Sequence, residues 1–423
     1  MASVDVRARF FSLGLAGLAM LAGLLIPAAA SARPKPAPKA AAAGAAEIWA
    51  ATWEAAPEPA RPPLIALSNQ TVRQIAHISL GGIFVRVRLS NEFGDKPLTV
   101  GAAHVALAAG GGPGIQPDTD RPVTFGGKPQ ITIPPGARAL SDPVSLTVPA
   151  MSDVAVSIWF PPQAESAVTS HYFAMQSGYV AAGNVIGAAS LTPTSTINYN
   201  VVLSGLDVSG PRGTKVVVTL GDSLTGGFGS TAGANHRWPD LLSAKLAGRK
   251  IGVVNAAIGG NRLLHDFFGP NAMSRFDRDV LSQPSVGYLI VLLGINDFGL
   301  PGGRGLPAEE VSADEVIAGY RQLIARSHSY GIKVFIATIP PFGPIPERPG
   351  YYSDASEAKR EAVNQWIRLN TKEFEGVVDF DAALKDPAAH IRMAPAFDSG
   401  DHLDPNDAGY AAMADAVEMR LFE

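Results

Sequence analysis

Lys215-Val216-Val217-Val218-Thr219-Leu220 leads directly into Gly221-Asp222-Ser223-Leu224-Thr225-Gly226-Gly227. The apolar, β-branched run reads as a short strand buried on both faces, as strands of parallel sheets are. The glycines and the aspartate that follow end it in a turn. A serine hydroxyl is thereby delivered to the carboxyl edge of a parallel sheet, the side on which α/β proteins bind and react their ligands. A serine in that setting is also a common helix cap or turn former, so its meaning depends on what accompanies it.

Working outward, the chain from Gly213 alternates apolar strands with helical segments. Val216 to Leu220, Gly252 to Asn255, Tyr288 to Leu293 and Val334 to Thr338 read as strands. Trp238 to Leu246, Ala313 to Ser329 and Ser356 to Arg368 carry helical periodicity. A closing amphipathic helix is expected from Pro405, with Tyr410, Met413, Ala414, Val417 and Leu421 on its apolar face. This alternation predicts an α/β fold, a flavodoxin-like three-layer α/β/α sandwich over residues 213–423. Upstream, Ile83, Val85, Val87 and Leu89 alternate with polar neighbours, and Ile131 to Ile133, Val144 to Val148 and Val154 to Phe160 are short runs separated by Gly, Pro and Asp turns. Residues 47–212 are therefore expected to form an all-β sandwich or jelly-roll domain preceding the first.

The chain has 423 residues, enough for two domains with a large core. A formal charge of −4 gives no electrostatic reason to expect nucleic acid or an anionic membrane as partner. With no cysteine, disulfides, thiolate metal sites and thiol nucleophiles are excluded together. Arg7 and Arg9 precede an apolar run from Phe10 to Ile26 and the small-x-small triplet Ala30-Ser31-Ala32. Residues 1–32 are thus expected to be a signal peptide, giving a secreted or periplasmic product with no stable membrane insertion after cleavage. The Pro-, Ala- and Lys-rich stretch 33–46 is expected to be a disordered linker.

Three further polar clusters follow the serine block: Asn255-Ala256-Ala257-Ile258-Gly259-Gly260-Asn261, Gly294-Ile295-Asn296-Asp297 and Asp401-His402-Leu403-Asp404-Pro405-Asn406. Each lies at a strand end or turn. In order and spacing the four blocks, from about Lys215 onward, resemble the SGNH hydrolases, or GDSL esterases and lipases. Arg237-Trp238-Pro239-Asp240, Arg275-Phe276-Asp277-Arg278-Asp279 and Asn406-Asp407-Ala408-Gly409-Tyr410 are similar to a secreted bacterial branch of that family. The resemblance implies the SGNH fold, a nucleophilic Ser223, and an oxyanion hole made of the Ser223 amide, the Gly260 amide and the Asn296 side chain. Serine needs a base at neutral pH, and histidine is the usual one. Asp222 is expected to hold the nucleophile turn and Asp297 to brace its loop.

The fourth block departs from the family pattern Asp-x-x-His-Pro, because the position three residues after Asp401 is Asp404. The block's only imidazole is His402, which becomes the expected base, with Asp401, Asp398 and Asp404 as candidates to orient it. Asp404 acting directly as base, or as a helix cap before Pro405, are the alternatives. Phe228, Arg262, Phe298 and Trp238 adjoin the motifs and are expected to shape the pocket. Trp49, Trp53, Trp159 and Tyr172 would stack on sugars if they line an exposed face, and fill a core otherwise. Neither a cofactor nor a metal is expected. The sequence thus points to a secreted serine esterase acting on small-molecule or polysaccharide acyl esters, acetyl esters of carbohydrate among them. The alternatives are a catalytically impaired SGNH-fold protein that binds a glycan or surface, and a lipase or phospholipase.

Overall fold

Five apolar strands build the sheet that carries the serine. In a computed structural model, which describes residues 47–62 and 65–423, they run in spatial order Ile251–Asn255, Lys215–Gly221, Val286–Leu292, Lys333–Ala337 and Gly376–Val378, all parallel. In sequence rank this is 2-1-3-4-5, the flavodoxin-like order, with its switch point at the Lys215–Gly221 strand. The sheet interior is Val216, Val217, Val218, Leu220, Leu289, Ile290 and Ile336, all fully buried. Helices Trp238–Leu246 and Asp407–Ala416 pack on each other, while Ala313–Ser329 packs on Asp354–Leu369, giving the outer layers of an α/β/α sandwich.

The helix ends follow from local capping. Ser312 and Glu315 form a capping box at the start of Ala313–Ser329. The closing helix begins at Asp407, not Pro405, because the Asn406 side chain accepts the Gly409 amide. Asp404 is therefore not its cap. After Ala416 the helix gives way to a short 3-10 turn at Met419–Phe422.

Ahead of this region the strands are antiparallel. One sheet joins Glu47–Glu54, Leu203–Pro211, Gly82–Asn91 and Val144–Val148, with Ala137–Leu140 paired to Gly82–Asn91. A six-stranded sheet is centred on Gln70–Ile78 and Ser152–Phe160. Val72, Ala76, Val85, Val87, Leu89, Val156 and Ile158 interdigitate as their common core. Ile83, at the end of its strand, is instead exposed. Trp53 packs against this core, and the Arg86 guanidinium lies 4.0 Å above the Trp49 ring.

The antiparallel region covers the open edge of the parallel sheet. Ala50 and Ala51 are fully buried in the parallel sheet's own core, and the Ser79 hydroxyl accepts the Val253 amide on the edge strand. Ser285 Oγ donates to Trp49 O, and Arg278 donates to Pro57 O. The described residues accordingly form one compact unit. The expected signal peptide and linker lie outside the described residues. No helix of the described residues is long and apolar enough to cross a membrane.

Candidate active site

The strand carrying Ser223 stops where its backbone turns into a one-turn helix, Ser223–Gly226, with Asp222 as the capping residue. Asp222 accepts the Leu224 amide at 3.0 Å. The Ser223 amide sits in the first turn, where helix geometry provides no carbonyl for it. The turn is held from outside: Asn255 donates to Thr225 O, and Tyr410 of the closing helix donates to Phe228 O.

Gly259 and Gly260 follow the neighbouring edge strand. Gly260 has φ +72°, and a β-carbon there would lie 2.3 Å from the Phe268 ring. At Gly259 it would lie 2.8 Å from the Phe173 ring. These two positions are glycine so that two aromatic rings can approach the backbone beside Ser223, and at Gly260 also because the left-handed conformation requires it. Asn296 opens the helix Ile295–Arg304. Its Oδ1 accepts from Tyr351 and its Nδ2 donates to Asn261 O, which sets the amide orientation, and the same side chain acts on the Asp222 carboxyl. Asp297 accepts the amides of Leu263 and Leu264 and so fixes the loop after Gly260.

Ser223, Gly259, Gly260, Asn296 and Asp404 line one cavity of about 460 Å³. Asp404 is buried, and its Oδ1 has no hydrogen-bond partner. Burial pushes its carboxyl well above the ordinary carboxylate range, and the nearby Asp401 adds to this, while the Ser223 hydroxyl acts in the opposite sense. Asp222 behaves alike: burial raises it to about 7, the Leu224 amide opposing and Asp297 reinforcing the shift.

His402 is elsewhere. Its side chain is half exposed, its φ is +62°, and Nδ1 is 2.7 Å from Asp398 Oδ2. It lines a separate cavity with Gly343, Pro344 and Arg392, so the structure does not bring the sequence-predicted base to the serine. The reason is local. Asp398 accepts the His402 amide and faces the ring, whereas Asp401 accepts the amides of Leu403 and Asp404, curling the loop so that Asp404 turns inward. Of the candidate orienting acids, Asp398 contacts the imidazole, and Asp401 lies instead 3.4 Å from Arg348.

The match to a known family agrees with this layout. Residues 219–412 match the GDSL-like Lipase/Acylhydrolase family. This segment is a GDSL-like acylhydrolase domain. Similar solved structures include an α/β hydrolase from the metagenome of Lake Arreo, with 24% identity, 48% of this chain and 92% of that chain covered, and a TM-score of 0.36. An aryl esterase from M. smegmatis has 16% identity, coverages of 48% and 96%, and a TM-score of 0.39. A carbohydrate acetylesterase from Sinorhizobium meliloti has 15% identity, coverages of 48% and 96%, and a TM-score of 0.38. No curated protein matches the chain.

Of the pocket residues expected from proximity, Phe228 lines the GDSL domain's cavity, while Arg262, Phe298 and Trp238 are buried and do not line it. Sequence reasoning missed Arg61, Phe173, Arg304, Arg348 and Tyr351, which also line it. None belongs to a motif. Arg61 and Phe173 come from the antiparallel region, and only folding brings them to the serine.

Proposed function

We propose that the GDSL domain hydrolyses acyl esters through an acyl-enzyme on Ser223, with Asp404 taking the place of the usual imidazole. The observation that carries this reading is the shared cavity of Ser223, Gly260, Asn296 and a buried Asp404 carboxyl that feels the Ser223 hydroxyl and whose Oδ1 has no partner. Ser223 Oγ attacks the acyl carbon and its proton passes to Asp404. The oxyanion falls to the Ser223 and Gly260 amides and the Asn296 side chain, donors worth about 2.7–4 kcal/mol each when preorganised. Asp404 returns the proton to the departing alkoxide, and water repeats the sequence on the acyl-enzyme. A cavity of this size accepts a short acyl group on a sugar-sized alcohol, which is the basis for proposing acetylated carbohydrate as substrate. The amino-terminal pattern of Arg7, Arg9, the apolar run and Ala30-Ser31-Ala32 supports export as part of this proposal.

Only the ionised carboxylate accepts a proton. Because Asp404's affinity for its proton is raised, the competent fraction grows as pH rises, and turnover should climb toward alkaline pH. p-Nitrophenyl acetate hydrolysis measured from pH 6 to 9.5 tests this. Ser223→Ala is expected to abolish turnover, and Asp404→Asn to lower the alkaline rate by roughly 100-fold or more. Asp404→His should raise the rate at pH 7 and give a profile governed by a group near pH 6.5. Full activity in Ser223→Ala, or its loss in His402→Ala, would remove the assignment. A second reading is favoured by the same raised carboxyl: if Asp404 keeps its proton throughout, wild type and Asp404→Asn will be equally inert and the site serves binding alone.

A further inference from the structure

The mouth of the Ser223 cavity carries a charge pattern opposite to that of the whole chain. Three arginines line it, Arg61, Arg304 and Arg348, against a single rim carboxylate, Glu347, although the chain has a formal charge of −4. The buried acid at its base, Asp404, is held toward its neutral form.

The three arginines differ in how far they are neutralised: Arg61 is ion-paired to Glu58 at 2.8 Å, Arg348 approaches a carboxylate less closely, and Arg304 has none among the described residues. The Arg61 guanidinium lies 4.5 Å from the centroids of both Tyr172 and Phe268, and one nitrogen, Nη2, carries its bonds to Glu58 and to Phe268 O. Glu58 is itself buried, and that burial pushes its carboxyl above the ordinary range while Arg61 and the Tyr172 amide oppose the shift. Arg304 stacks over Phe267 and Phe268 at 5.7 and 5.9 Å and pairs with no carboxylate among the described residues. Arg348 reaches Asp401 only at 3.4 Å and is exposed. Stacking on aromatic faces holds guanidinium planes in place while leaving N–H donors for a ligand. Phe173 and Phe228, edge to face at 5.2 Å, provide an apolar wall beside them.

We propose that this cavity selects esters bearing a negative charge, the anion being gripped by Arg304 and Arg348 with Arg61 contributed from the antiparallel region. This deepens the acyl-ester reading of the same site and rests on it. Arginine is suited to the role because its fork matches a carboxylate bidentately.

The test uses two uncleavable amides of one shape, 4-acetamidobenzoate and the uncharged 4-acetamidobenzamide, titrated into the full chain by calorimetry at low ionic strength. The anion is expected to bind at least ten-fold more tightly. That preference should shrink in 1 M NaCl, and several-fold in Arg304→Gln and in Arg348→Gln, whose exposed positions leave folding intact. Equal or absent binding of the two amides overturns the proposal, as does a preference that both variants retain. Because no bond is broken, the result does not depend on which residue acts as base. Charge-selective binding with no hydrolysis of any ester strikes only the esterase reading, and hydrolysis with charge-blind binding strikes only this one.

Discussion

Asp404 shows what one side chain does when its surroundings expect another. An imidazole at this position would be neutral when buried, whereas a carboxylate must either keep a proton or leave a charge with an unpaired oxygen. The folded state therefore binds the proton more tightly than the unfolded chain, whose aspartate has a pKa of about 3.9. Between that value and Asp404's raised one, the folded state holds more protons, so stability falls as pH rises, by at most about 1.4 kcal/mol per pH unit from this group. Asp404→Asn removes the dependence. The variant should match wild type near pH 4 and exceed it increasingly toward pH 8 in urea titrations. A constant gap across that range would show that the carboxyl titrates normally. Asp222, raised to about 7, imposes the same sign, and because its charge also raises Asp404 the difference between wild type and variant includes their mutual repulsion.

At the scale of elements, the strand ends around the serine are tied by one buried arginine. Arg275 donates to Gly221 O, Ala256 O and the Asn261 side chain, and pairs with Asp279 at 2.8 Å. It thus links the end of the nucleophile strand to the loop carrying Gly260. Arg275→Met removes those four anchors and leaves Asp279 to Arg278 alone, at an expected cost of about 3–5 kcal/mol in chemical denaturation. A loss below about 1 kcal/mol would mean the ends are positioned by packing instead. The elements themselves were largely legible in the sequence. Trp238–Leu246 and Ala313–Ser329 have the bounds their periodicity predicts, because apolar faces and, in the second, the Ser312 and Glu315 box act within a few residues of one another. The closing helix starts late for an equally local reason, since the Asn406 side chain accepts the Gly409 amide while Asp404 faces the cavity.

Across the whole molecule, the antiparallel region is a structural wall of the GDSL domain as well as a neighbour. Ala50 and Ala51 complete the core of the parallel sheet, Ser79 satisfies an amide on its edge, and Arg61 and Phe173 line the cavity. A fragment comprising residues 213–423 would expose that edge and apolar surface to water. The full chain should melt in one calorimetric transition, and the fragment should be insoluble or melt more than about 10 °C lower. Two well-separated transitions in the full chain would show that the regions fold independently.

The sequence by itself determined the alternation of strands and helices, the antiparallel region ahead of them, and the serine, glycine and asparagine blocks, because these depend on periodicity and on residues adjacent along the chain. Only the tertiary structure decided which residue of Asp401-His402-Leu403-Asp404 faces Ser223, and that two residues of the antiparallel region help to line the cavity. Side-chain direction in a curled loop is set by which amides Asp398 and Asp401 accept, and proximity between distant segments is set by how the sheets pack. Neither leaves a trace in residue spacing.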